Sequence, residues 1–96
     1  MSTFRIQGST AAAVTAVASA TSNQTLIQAN AVRFGVSIYN DSTAILYVKC
    51  GANASTSSYT VQIGSQQYWE TPFNYAGQVD GVWGAANGNA LVTEYV

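Results

Sequence analysis

Apolar and polar residues alternate with a period of two along most of the chain. In RFGVSIYN (33–40), Phe34, Val36 and Ile38 fall on one face, with Gly35, Ser37 and Tyr39 on the other. After the turn-forming NDST (40–43), ILYVKC (45–50) repeats the pattern: Leu46, Val48 and Cys50 alternate with Tyr47 and Lys49. Strands with one buried face produce this spacing, because successive side chains point to opposite sides of a sheet. YTVQI (59–63) alternates again and places Tyr59, Val61 and Ile63 inward. YWET (68–71) reads as a strand ended by Pro72, which has no N–H to give to a ladder. VDGVW (79–83) and ALVTEYV (90–96) read as the last two strands, and TLIQA (25–29) as an early one.

The turn signals lie between these runs. GANASTSS (51–58) and GSQQ (64–67) are connections of small polar residues. Asn87-Gly88 predicts a two-residue type I′ hairpin between the last two strands, since both central residues of that turn need positive φ. The segment AAAVTAVAS (11–19) stays open between helix and strand. Its alanines favour a helix, whereas Val14, Thr15 and Val17 are stiff at χ1 and favour a strand. Strands every 8–12 residues with turns between them predict an all-β fold, an antiparallel two-sheet β-sandwich of jelly-roll type with seven or eight strands. Residues 1–12 read as an N-terminal arm and 13–96 as the sandwich domain. The expected core is Phe34, Val36, Ile38, Leu46, Val48, Val61, Ile63 and Trp83.

Composition narrows the functional classes. Of 96 residues, 48% are hydrophobic and only 7% charged, while Ser, Thr, Asn and Gln number 34. Such a surface forms hydrogen bonds but offers little like-charge repulsion between copies, so it tolerates association. Arg5, Arg33 and Lys49 are the only cations, too few and too scattered for a phosphate-binding patch or a polybasic membrane anchor. Neither nucleic acid nor membrane is therefore an expected partner. The run AAAVTAVASA (11–20) ends like a cleavage site. It lacks leucine and a basic leader, however, and reads as part of the domain.

Candidate chemistry is sparse. Histidine is absent, which removes the usual general base and the commonest metal ligand. Cys50 is the lone cysteine, so neither an intramolecular disulfide nor a thiolate cage is expected; the thiol reads as a small buried apolar group. Glu70 and Asp80 are the only carboxylates within the aromatic stretch 68–88, the one pair that a glycosidase would use. Asp41 and Asp80 sit in turn-like contexts (Asn-Asp-Ser and Asp-Gly), and Glu70 and Glu94 occupy positions that read as outward on strands. The expectation is a protein without catalytic residues, cofactor or metal. The aromatics of 68–88 divide between core and contact surface: Tyr68 and Trp69 are adjacent and must face opposite ways, and Trp83 is in phase with Val79. A sugar-stacking platform and a protein interface both remain open for the outward rings.

The residues R-x-G-V-S-I-Y-N-D-S (33–42), L-Y-V-K (46–49), Y-W-E-T-P-F-x-Y-x-G-Q-V-D-G-V-W (68–83) and A-N-G-N-A-x-V-T-E (86–94) form a recognisable pattern. Over about residues 24–95 the chain resembles a group of small structural proteins encoded among the virion genes of tailed bacteriophages, cyanophages included. The resemblance implies a non-enzymatic β-sandwich on the virion, most often a capsid decoration or cement protein made in the host cytoplasm. Its partners would be the major capsid protein and further copies of itself, as a dimer or trimer. Tail or baseplate fittings and host-surface carbohydrate-binding modules are the competing roles. On that reading the contact groups are Phe4 and Ile6 in the arm and the outward rings among Tyr39, Tyr47, Tyr68 and Tyr75.

Overall fold

The computed structural model describes residues 8–96, which contain eight β-strands and no helix. They are β1 (Ala12–Ala18), β2 (Gln24–Ile27), β3 (Gly35–Asp41), β4 (Leu46–Cys50), β5 (Val61–Ile63), β6 (Tyr68–Glu70), β7 (Val79–Trp83) and β8 (Asn89–Tyr95). Two four-stranded antiparallel sheets form, ordered β1-β8-β3-β6 and β2-β7-β4-β5. Consecutive strands alternate between the sheets except at β4–β5. This is the eight-stranded jelly roll, the closed-up double Greek key. The ambiguous alanine-rich segment is a strand: β1 pairs along its whole length with β8, from Ala12 opposite Tyr95 to Ala18 opposite Asn89.

The core lies between the sheets. Val36, Ile38, Ala90 and Val92 face inward from the first sheet, and Leu26, Leu46, Val48, Ile63, Val79 and Trp83 face them from the second. Six of the eight expected core residues are buried: Val36, Ile38, Leu46, Val48, Ile63 and Trp83. Val61 packs against the cluster half-buried. The indole N–H of Trp83 is buried with no hydrogen-bond partner among the described residues, so this side chain serves the core by its area.

Two polar plugs close the ends of the sandwich. At one end the guanidinium of Arg33, fully buried, pairs with Glu94 (Nε to Oε2, 3.2 Å) and donates to the carbonyls of Gly77 (2.9 Å) and Gln28. At the other, buried Asn40 donates through Nδ2 to the carbonyls of Ile63 and Ala44, each at 2.8 Å. Both plugs bind carbonyls in connections or at a strand end, satisfying groups that would otherwise lose water when covered.

Several expectations are corrected. Phe34 is 37% exposed at the rim, outside the core. It precedes β3, and the inward space at that end is filled by Arg33 and by Glu94, which sits opposite Val36 in the ladder. Glu94 is thus an inward residue, expected outward because its charge gave no hint of a cation 61 positions away. Tyr59 also lies outside, its ring edge-on to Tyr47 at 5.1 Å, because β5 begins only at Val61. Asp80 is no turn residue: it stands in the middle of β7, 1% exposed.

The Asn87-Gly88 hairpin does not exist, because β7 and β8 belong to different sheets. Residues 84–88 carry the chain from one layer to the other, and only Gly88 takes positive φ (68°). Glycine is required there for space as well, since a Cβ would stand 2.1 Å from the Asp41 carbonyl oxygen. Asn87 accepts instead from the Thr43 N–H at 2.7 Å and ties the crossing to the β3–β4 turn.

Candidate functional site: an aromatic outer face

The two outer surfaces of the sandwich differ. On the second sheet, β7 carries Asp80 and Val82 outward, yet both are buried. The loop 51–58 folds over Asp80. One Asp80 oxygen, Oδ2, accepts from the Asn53 N–H (2.9 Å) and from Asn23 Nδ2 (2.9 Å), and Oδ1 accepts from Gln78 Nε2 (2.7 Å). Asn23 Oδ1 in turn accepts from the N–H of buried Ala54 at 2.8 Å. Burial alone would raise the Asp80 pKa. The hydrogen bonds from Gln78, Asn23, Asn53 and Thr25 outweigh it and hold the carboxyl below its ordinary value. Asn53 adopts positive φ (65°) to bring its N–H onto the carboxylate. This surface is roofed over Asp80.

Among the described residues the first sheet has no such roof. Its outward positions are Val14 on β1, Leu91, Thr93 and Tyr95 on β8, Ser37 and Tyr39 on β3, and Tyr68 and Glu70 on β6. They line an open groove of about 450 Å³. Tyr39 stands opposite Tyr68 across the β3–β6 ladder, its hydroxyl donating to Gln66 Oε1, and the Tyr95 hydroxyl shares a hydrogen bond with Ser37 at 3.0 Å. Tyr68 is 65% exposed. Beyond Tyr95 and Glu70 the surface continues around the rim over Phe34 and Phe73.

Phe73 is the most unusual residue here. Its ring is 95% exposed and its backbone sits at φ 55°, a region that bulky residues rarely enter. Pro72 before it and the Arg33 hydrogen bonds to the carbonyls of Tyr75 and Gly77 after it fix the loop on both sides. Strain of this kind at an exposed position marks functional surface more often than core packing. Together these rings make a contiguous aromatic surface with Glu70 as the one carboxylate among its lining residues.

The structure separates the residues that the sequence grouped as contacts. Tyr39 and Tyr68 share this face. Tyr47 lies on the opposite surface against Tyr59. Tyr75 is half-buried against the core, its hydroxyl donating to the Gln78 carbonyl at 2.8 Å, and burial foremost raises its pKa. Phe4 and Ile6 lie outside the described residues. Sequence reasoning missed Tyr95, Phe73, Phe34 and Val14. The period-two pattern from Leu91 to Tyr95 could have placed Tyr95, but nothing local announces a phenylalanine at positive φ.

The carboxylates are dispersed in the same way. Glu70 is on the open face of one sheet and Asp80 under the roof of the other, so the pair suggested by sequence proximity is split across the sandwich. Among the described residues no three His, Cys, Asp or Glu side chains come together. Cys50 faces inward beside Val79 and is half-buried; desolvation raises its thiol pKa against the opposing hydrogen bond from Thr60, which leaves a poor nucleophile. Compared with protein-family models, curated proteins and solved structures, the chain matched nothing.

Proposed function

We propose that this protein is a non-catalytic structural component of a phage virion that docks on the head shell through the aromatic face of its first sheet. The observation that carries the reading is Phe73, an exposed ring on left-handed backbone, continuous with Tyr68, Tyr95 and Phe34 on the unroofed surface. Rigid aromatic anchors surrounded by uncharged polar groups are what protein interfaces concentrate at their centres. The chain's resemblance to small virion proteins supplies the partner, the major capsid protein, and the jelly roll is a fold that capsid domains use. Many copies on a symmetric shell would turn modest single contacts into firm attachment.

Co-sedimentation with emptied phage heads tests this. Phe73→Asp and Tyr68→Asp are expected to abolish binding without loss of the fold, since both side chains already face water. Tyr47→Asp, on the other surface, should leave binding unchanged. With one carboxylate in the contact, raising salt should weaken attachment only slightly. Deleting residues 2–7 removes Phe4 and Ile6 and reports their share. The tyrosines beside Glu70, Ser37 and Thr93 also suit a stacked sugar. Saturable binding to host polysaccharide with none to heads would replace the shell by a glycan as the ligand.

A further inference from the structure

The four strands at the sheet edges are not equivalent. β5 and β6 have three residues each, and Pro72 follows β6 closely. β2 has four residues and is interrupted by a bulge between Thr25 and Ile27. Short strands, prolines and bulges are the usual devices that stop an edge from recruiting another strand. β1 has none of them. Its seven residues, AAVTAVA, run in unbroken register along β8, carry no charge, and are exposed except for half-buried Val17.

Among the described residues, the ladder identifies which backbone groups of β1 have no partner. Ala11 and Val96 exchange both hydrogen bonds, and Ser19 N–H donates to Gly88. Because the bonding residues of an antiparallel pair alternate, Ala13, Thr15 and Val17 also bond to β8, while Ala12, Val14, Ala16 and Ala18 turn their N–H and C=O groups away from it. Those four lie on the aromatic side of the sheet. Behind them the sandwich is open between β1 and β2: a cleft of about 320 Å³ is lined by Val17, Leu26, Ile27 and Val92 and also by Gln28 and Glu94.

We infer that β1 pairs antiparallel with β1 of a second copy, about a two-fold axis through Thr15, joining two sheets into one of eight strands. In that register Ala12 meets Ala18 of the second copy, Val14 meets Ala16, and all four outward-bonding residues of each strand pair, giving about eight backbone hydrogen bonds. Thr15 faces its own mate as a close non-hydrogen-bonded pair, a favourable cross-strand combination. Every side chain on the seam is small, so nothing clashes and no like charges meet. The two-fold also brings the two clefts together, covering the apolar surface of Val17, Leu26 and Ile27 that one copy leaves wet. The seam is about 24 Å long and two sheets deep, which is less than the roughly 800 Å² per partner of a standard interface. The dimer is therefore reversible and forms at micromolar concentrations or above. Its axis is perpendicular to the sheet, so the two aromatic faces look the same way. Only this last consequence rests on the proposed docking role; the dimer does not.

Sedimentation velocity of the full chain, from about 5 to about 500 µM, reads the equilibrium. Wild type should shift from monomer towards dimer. Ala16→Pro removes an N–H that β8 does not use, so it should keep the strand content and stay monomeric throughout. Thr15→Lys and Thr15→Glu each place like charges on the axis and should be monomeric alone, while an equimolar mixture should dimerise. That rescue does not depend on how the proline variant folds. A wild type that is monomeric at the highest concentration overturns the inference. So does a dimer that survives both threonine substitutions, or one that dissociates with Phe73→Asp instead. Head binding is read separately, so a dimer that ignores heads would sink the docking role and leave the seam standing.

Discussion

The two outer surfaces of this sandwich start from the same alternating pattern and end differently. Both sheets have a central pair of long strands with polar and aromatic residues pointing out. On the second sheet the connection 51–58 is long enough to fold back, and Asp80 gives it an acceptor to fold onto. On the first sheet no connection returns across the face, and Tyr39, Tyr68 and Tyr95 stay open beside Val14 and Leu91. The polar, charged position is thus the buried one, and the aromatic positions are the exposed ones. A surface is closed by whichever groups its loops can satisfy, and hydrophobicity does not decide it alone.

The largest expected effect comes from opening the roof. Asp80→Ala takes the buried acceptor away from the part-buried N–H groups of Asn53, Asn23 and Gln78 and should cost about 2 kcal/mol or more in denaturant unfolding. Glu70→Ala, the matching carboxylate of the open face, should change stability by less than about 0.5 kcal/mol. Equal costs would mean that the two faces are not built differently.

Acid sharpens the same contrast. The folded pKa of Asp80 lies below its unfolded value of about 3.9, so the stabilisation is complete above that pH. It is lost as pH falls through the lower folded value. Asp80→Asn should lack this component of the acid transition, giving a shallower loss of stability below about pH 4 than wild type. Superimposable slopes would show that Asp80 titrates alike in both states.

A smaller effect of opposite sign is expected on the open face. Phe73→Asn keeps positive φ at lower cost and removes a ring that packs on nothing, so it should raise stability by about 1 kcal/mol while weakening docking. A loss of stability there would mean that the ring is structural. Tyr68→Ala should be the smallest change, within about 0.5 kcal/mol by thermal melting, because a side chain 65% exposed has little burial to lose.

Much of the fold was legible in local pattern. Val36 and Ile38, Leu46 and Val48, and Val79 and Trp83 repeat at intervals of two or four, and that spacing forces them onto one face of a strand whatever the strand pairs with. The outward direction of Tyr39 and Tyr68 follows by the same parity. Less of the site could be read. Phe73 owes its exposure to a loop held by Arg33, and Arg33 is held by Glu94, 61 residues on.

The sequence by itself determined that the chain is all-β, which residues turn inward on most of its strands, and that its surface is nearly uncharged. These depend only on side-chain chemistry and a period of two, both of which are local. The tertiary structure alone decided which strands became neighbours. Asn87-Gly88 specifies a change of direction, and Gly88 does take positive φ, yet the turn delivers the chain to the opposite sheet because β8 finds its partners in β1 and β3. It also decided the fate of the charges. A carboxylate beside glycine reads as a turn until donors from two distant segments join its neighbour Gln78 around it, and a glutamate in alternation reads as outward until an arginine is buried against it. Burial of a polar group is stable only when its partners arrive with it, and those partners lie far away along the chain.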